Sequence, residues 1–414
     1  MHAIVIGGGI IGVTTAYFLR QAGCEVTLIE RNSGVAQETS FANAGIIAPG
    51  YVTPWAAPGM PGKVLRSLFR RESPVVFKPG TDPALWRWIA RWLSECELNR
   101  YRLNKTRMQR VAFHSRAVLH ELRDRLNLYY EQSSGYLQLF RTELDLQLSQ
   151  PARQLLLETG VAHAVLDEAA TRALEPGISG QMKFAGALHL PEDESGNCAL
   201  FARLLRKQAE IDGVAFRFDH CVQGLLAQRE GVLVRTDRGE FSGQAVVICA
   251  GVASAALAKP LGIHIPLWPV KGFSATVQVQ AGEAAPRAAL MDEAYKVAIT
   301  RLGNRLRIAG TAELSDQRIA LREESCVTLL KVAKDWFPDA ANYAQASFWC
   351  GARPMLPDGP PVLGATPVPN VFLNVGHGST GWAMSCGSGQ ILADVITGKP
   401  PAIDLDGLTI ARYW

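Results

Sequence analysis

The chain has 414 residues, and its 42 Lys and Arg against 38 Asp and Glu leave a formal net charge of +4. That length excludes one small module and fits two domains or one large α/β body with insertions. A content of 48% hydrophobic and 19% charged residues excludes a disordered chain and provides for a large buried core.

The first predicted element is a strand. Met1-His2 runs straight into Ala3-Ile4-Val5-Ile6 with no basic n-region and no cleavage pattern, so a signal peptide is not expected and a cytoplasmic protein is. Three glycines follow, then Ile10 to Leu19 with helical spacing, Gly23 as a helix stop, and Glu25 to Glu30 as a second strand. This is a βαβ unit. Its turn, Gly7-Gly8-Gly9-Ile10-Ile11-Gly12, satisfies G-x-G-x-x-G, and acidic Glu30 lies 18 residues after the last glycine. Gly7 permits the tight turn, Gly9 lets a pyrophosphate approach the backbone, and Gly12 lets the helix lie close on the strand. The amides at the helix N-terminus, Ile10 and Ile11, meet the phosphate charge. Glu30 is placed to accept hydrogen bonds from ribose hydroxyls, and its charge disfavours a 2′-phosphate and hence NADP. The competing reading is a glycine turn that holds no nucleotide.

Further along, Ala199 to Ala209 reads as a helix, Val214 to Phe218 as a strand leading to Val222, and Gly231 to Thr236 and Ala245 to Cys249 as strands, the last ending in Ala250-Gly251. The longest nearly apolar run, Ala245 to Ala258, has 14 residues. A bilayer span needs roughly 20, so no transmembrane helix is expected. Alternating strands are predicted at Phe273 to Val279 and Arg305 to Ala309. The C-terminal part repeats the first unit: an apolar strand at Val371 to Val375, a glycine turn at Gly376-His377-Gly378-Ser379-Thr380-Gly381, and a helix from Trp382 to Ile396. Eight cysteines, at 24, 96, 198, 221, 249, 326, 350 and 386, show no C-x-x-C or close pairing, which favours reduced thiols and no metal site.

Two helix N-termini are thus offered to one ligand. A reduced flavin carries negative charge near N1 and O2, which the amides of Gly378 to Gly381 would stabilise, so FAD is preferred over NAD. An ordinary strand-to-helix connection is the alternative. The expected fold class is α/β, an FAD-binding Rossmann-like domain with an inserted α+β substrate domain. The first domain is assigned 1–60, 184–265 and 345–414; the substrate domain is assigned 61–183 and 266–344, which are richer in Arg and aromatic residues.

Several segments carry a resemblance that runs nearly end to end. They are GGGIIGVTTAYFL, ETSFANAGIIAPGY with TPWAAPGMPGK, LQLFRT, LPEDESGNC, DEAYKVAITRLGNRLRIAGTAE, FWCGARPMLPDGPPVLG and LNVGHGSTGWAMSCGSGQ. With them the chain resembles bacterial FAD-dependent D-amino acid dehydrogenases, within the D-amino acid oxidase and glycine oxidase superfamily; Gly8 departs from the serine common there. The resemblance implies a D-amino acid-oxidase-like fold with the substrate held over the flavin. Hydride passes from Cα to flavin N5, and water hydrolyses the imino acid to a 2-oxo acid and ammonia.

Site residues follow from the same motifs. Arg353 in Gly351-Ala352-Arg353-Pro354 matches the family's carboxylate-binding arginine, suited by its bidentate fork to a carboxylate in a dry pocket; a structural ion pair with Asp358 is the alternative. Related sarcosine oxidases carry the flavin on a Cys near this place, where this chain has Arg, so the resemblance implies non-covalent FAD, with Cys350 as the thiol nearby in sequence. Ser40, Asn43, Ala44, Gly45 and Ile46 resemble the segment beside the pyrophosphate and flavin ring, and Val222 the residue whose backbone meets adenine. Arg31, Ala250 and Gly251 complete the cofactor set with Gly376, Gly378, Ser379, Thr380 and Gly381. The amine must react neutral, so no strong base is obligatory. Backbone carbonyls near Gly376 to Gly378 are expected to receive it, with acid/base work by His377 as the alternative. Tyr51, Trp55, Tyr295 and Lys271 are further substrate-pocket candidates or ordinary core. D-alanine, D-proline, D-hydroxyproline and other D-amino acids all stay open.

Residues 61–110 contain twelve Lys and Arg and four acids. Trp86, Trp88 and Trp92 interleave with Arg87 and Arg91, while Lys63, Arg66, Arg70 and Arg71 surround Leu65, Leu68 and Phe69. Such short basic-aromatic helices suit an anionic bilayer. Peripheral docking on the cytoplasmic face of the inner membrane, delivering electrons to a quinone, is therefore expected, against a solvated face over a Trp-rich core. The alternatives in function are a soluble oxidase using O2 and a tRNA-modifying flavoenzyme; the chain lacks an RNA-binding module, so no nucleic-acid partner is expected.

Overall fold

The computed structural model describes residues 1–67, 73–78 and 80–414. Leu68, Phe69, Arg70 and Arg71 lie outside the described residues, as do the side chains of Lys63 and Arg66. Two sheets organise the chain.

The first is six-stranded, in the order Val362–Ala365, Val371–Val375, Ala245–Ile248, His2–Ile6, Glu25–Ile29, Ala215–Arg217, parallel except for its Val362–Ala365 edge. Both faces are covered, which is why the central runs Ala3-Ile4-Val5-Ile6 and Ala245–Ile248 are apolar without a break. Ala3 and Val5 face a layer of helices, whereas Ile4 and Ile6 face a three-stranded meander, Val222–Gln228, Gly231–Thr236 and Gly239–Gly243. The helical layer contains Ile10–Gln21, Cys198–Ile211, Gly381–Ile396 and, against expectation, the 29-residue Leu98–Leu126. Glycines in the last helix set the packing. A Cβ at Gly389 would come within 2.9 Å of Thr14, and one at Gly387 within 2.8 Å of Ser115.

The second sheet has ten strands, eight of them in the path Ser347–Met355, Trp268–Gln278, Arg305–Leu314, Val297–Leu302, Ala289–Asp292, Ser133–Phe140, Gly186–Ser195, Ile46–Ile47. The helix Glu323–Trp336 backs one face through Leu329, Val332 and Trp336. The other face looks toward the first unit.

This architecture moves the expected domain boundaries. Ile46–Ile47, Gly186–Ser195 and Ser347–Met355 pair in the second sheet although their residues were assigned to the first domain. Conversely, Leu98–Leu126 was assigned to the second domain, but its Met108, Val111, Ala112, Leu119 and Leu122 are buried in the core of the first. The basic segment is also not a set of short helices throughout. Met60–Ser67 and Pro83–Ser94 are short helices, but Val75–Phe77 between them is a strand, and from Leu98 onward the segment is the start of that long helix.

Candidate functional site

Between the two sheets lies a cavity of about 880 Å³. Its nucleotide end is built by glycine. Gly7 has φ 108°, and a Cβ there would stand 2.6 Å from the Cys249 carbonyl oxygen. A Cβ on Gly12 would drive into the Gly7 carbonyl, so the helix sits on the strand because both lack side chains. The helix begins at Ile10 with no side-chain cap and no acid in its first turn, leaving its positive end for an anion. Ile10 N–H donates to Ser40 Oγ at 3.1 Å. Glu30 is buried at the end of the second strand and accepts from Gly8 N–H at 2.5 Å and Asn32 N–H at 2.8 Å. Arg31 lines the opening and pairs with Glu38, Nε to Oε1, at 2.7 Å.

The middle of the cavity is held from both sheets. Asn43 Oδ1 accepts from Gly45 N–H at 3.0 Å; the Asn43 carbonyl accepts from Arg307 Nη1 at 3.0 Å and the Ala44 carbonyl from Thr300 Oγ1 at 2.8 Å. Arg307 and Thr300 were not singled out from the sequence, because nothing in an alternating strand says which partner loop it clamps. Opposite lies the second glycine turn, with φ 80° at Gly376 and 56° at Gly378, opening the helix Gly381–Ile396 without a side-chain cap or first-turn acid.

His377 is buried, and burial pushes its imidazole pKa down to about 3. Ser388 Oγ donates to the Ser385 carbonyl, so His377 Nε2, 3.1 Å from Ser388 Oγ, is the donor in that pair. The ring is neutral and structurally engaged.

Arg353 stands on Ser347–Met355, where alternation turns Trp349, Gly351 and Arg353 to the cavity and Cys350 and Ala352 away. Gly272 gives the guanidinium room on the neighbouring strand, since a Cβ there would lie 2.5 Å from it. Arg353 Nη1 donates to the carbonyls of Lys271 at 2.9 Å and Thr311 at 3.3 Å. Among the described residues no carboxylate pairs with it. Asp358, its alternative partner, instead binds Arg412 Nε at 2.7 Å. Burial lowers the Arg353 pKa to about 10, still far above neutrality.

Every cofactor residue named from the sequence lines the cavity except Gly12, whose place is the helix–strand contact. Tyr51 and Trp55 line it too. Tyr51 accepts from Lys296 Nζ at 3.3 Å, and Lys296 in turn pairs with Glu293. Two expectations are corrected. Tyr295 is not part of the cavity wall; its ring packs under the Arg141 guanidinium at 4.7 Å. Lys271 directs its ammonium to Asp316 at 2.8 Å and Glu313 at 3.3 Å, so only its carbonyl serves the site, through Arg353. A residue not foreseen is Lys105, buried in the cavity wall on the long helix.

A family model described as FAD dependent oxidoreductase (DAO) matches residues 2–395. The chain belongs to the FAD dependent oxidoreductase family. The oxidoreductase is 47% identical over 416 residues to a D-amino acid dehydrogenase of Rhizorhabdus wittichii, covering 100% of each chain. It is 44% identical to a D-amino acid dehydrogenase of Vibrio cholerae serotype O1, over 100% of this chain and 99% of the relative. Among solved structures, glycine oxidase from Geobacillus kaustophilus matches with a TM-score of 0.76 at 23% identity, covering 99% of this chain and 98% of that one. FAD is therefore the oxidoreductase's cofactor, and the cradle has the features it needs: glycines where side chains would block a pyrophosphate, a carboxylate, Glu30, at the end of the second strand, and two uncapped helix starts.

Proposed function

We propose that this oxidoreductase is a D-amino acid dehydrogenase, the activity for which relatives at 44–47% identity are named. The substrate loses its Cα hydrogen with two electrons and a proton from nitrogen; water then adds to the resulting imine and releases ammonia and a 2-oxo acid. Bound FAD supplies the two-electron acceptor.

The observation that carries the reading is Arg353. A partly buried guanidinium with two carbonyl contacts and, among the described residues, no carboxylate partner has donors left for an anion, and an α-carboxylate matches its fork. The surrounding desolvation disfavours the ammonium form of the amine, which must be neutral to react. His377 is too weak a base to accept its proton, so the amine is assigned to backbone carbonyls of the Gly376–Gly378 turn. The carbonyl of His377 itself is engaged by Thr380 N–H at 3.2 Å. Cys350 faces away from the cavity, which supports non-covalent FAD.

The electron acceptor in this reading is a quinone reached at an anionic membrane surface. Trp88 and Trp92 belong to the core, which removes them from any docking face. What supports docking is the remaining exposed set: Trp86, Leu93, Leu98 and Leu103, interleaved with Arg87, Arg91 and Arg102. No helix among the described residues is long and apolar enough to cross a membrane.

Replacing Arg353 by Met tests the substrate assignment. The variant keeps its full flavin content and raises KM for a D-amino acid by roughly 10- to 100-fold, the worth of a charged hydrogen bond. Unchanged KM would contradict it.

A further inference from the structure

Lys105 has no place in the site described so far. Its residue is 4% exposed, and it lines the same cavity as Arg353 from the opposite unit, on the helix Leu98–Leu126. Tyr101, one turn earlier on that helix, also lines the cavity and shares a 2.9 Å hydrogen bond with Thr53 Oγ1. Gln109, one turn later, donates to the Pro49 and Gly50 carbonyls at 3.3 and 3.4 Å. This face of the helix is thus fixed on either side of Lys105 while the lysine itself makes no hydrogen bond or ion pair among the described residues. The other lysines of this region are satisfied: Lys296 by Glu293 and Tyr51, Lys271 by Glu313 and Asp316. An ammonium held in a wall without an acceptor costs free energy that an incoming anion offsets.

We propose that Lys105 is a second anion-binding residue of the substrate cavity, which receives a carboxylate distinct from the one held by Arg353. Lys105 reaches the cavity from the helix Leu98–Leu126 of the first unit and Arg353 from the strand Ser347–Met355 of the second sheet, so a ligand reaching both must carry two acidic groups separated by a chain. The ligand class is therefore a dicarboxylate, as in a D-amino acid with an acidic side chain. This rests on Arg353 as the α-carboxylate site and extends it to side-chain choice.

Burial also lowers the Lys105 pKa to about 8, and a bound carboxylate would raise it again. Binding at pH 8 should therefore take up about half a proton.

The test uses the FAD-loaded protein and follows the visible flavin spectrum during titration with succinate, glutarate and adipate, each against the monocarboxylate of equal length, butyrate, pentanoate and hexanoate. At least one dicarboxylate should bind roughly 10-fold tighter than its partner. Lys105→Met should bring that ratio within about twofold of unity, and Lys105→Arg should preserve it. Calorimetry in buffers of different ionisation enthalpy should show the proton uptake for the dicarboxylate in the unsubstituted protein. No dicarboxylate preference there, or a preference that survives in Lys105→Met, overturns the proposal. So does a Lys105→Met protein whose ligand-free flavin potential shifts while both affinities stay put, because the anion would then be the flavin's own. Reduction of the same preparation by D-amino acids reads the dehydrogenase assignment separately: reduction without dicarboxylate preference removes only the Lys105 subsite.

Discussion

Cations in and around this cavity separate into two kinds, and the difference lies in their partners. Lys296 in the wall and Lys271 behind it are neutralised by Glu293, Glu313 and Asp316, while among the described residues Arg353 and Lys105 have no carboxylate beside them. Arg353 was legible in the sequence because a specific motif surrounds it. Lys105 was not, since it sits in a basic run with Arg102, Arg107 and Arg110, and only tertiary packing decides which one turns inward. Its burial has a measurable consequence. The folded chain holds the Lys105 proton with a pKa of about 8 against an ordinary 10.5. The unfolded chain therefore binds more protons between these values, stability rises with pH across that window, and the penalty is complete below it. The shift corresponds to at most about 3 kcal/mol. Lys105→Met should accordingly raise the apparent unfolding temperature of ligand-free enzyme at pH 7, and the gain should shrink as pH climbs from 8 to 10. A gain that is constant with pH would mean that the ammonium is not the source.

Among elements, the first βαβ unit was legible because strand, glycine turn, helix and acid stand in fixed order, and its helix starts at Ile10 as the spacing requires. The strand Gly186–Ser195 was not foreseen. Its Pro-Glu-Asp-Glu run has no apolar alternation to mark a strand, yet Asp193 and Glu194 are buried against Arg116, His120, Arg123 and Tyr130. Partners distant in sequence make a polar segment acceptable inside a sheet. The contact between the first helix and its strand is where substitution should tell most about the cofactor. Gly12→Ala places a methyl against the Gly7 carbonyl, forces the helix away from the strand, and should lower FAD affinity at least roughly 10-fold. Retention of stoichiometric FAD after dilution and gel filtration would refute this account of the turn.

For the whole molecule, the domain limits were the least legible feature, because the chain passes between the two sheets repeatedly and single strands such as Ser347–Met355 join the sheet opposite their neighbours. The cavity depends on those crossings: Arg353 comes from one sheet and the glycine turns from the other. Surface chemistry is a property at this scale as well. If Trp86 and the exposed leucines with their arginines dock on lipid, the protein should float with vesicles containing anionic phospholipid at moderate salt and less so at high salt. Trp86→Ala with Arg87→Ala and Arg91→Ala should reduce the floated fraction, and no flotation of the unsubstituted protein would remove the membrane reading. The central claim concerns substrate and acceptor together. Its most direct measurement is anaerobic reduction of the purified yellow protein by paired D- and L-amino acids, including both prolines and hydroxyprolines, followed by air. The account predicts bleaching by D-enantiomers and slow recovery in air without peroxide; bleaching confined to L-forms or glycine, or rapid recovery with peroxide, would contradict it.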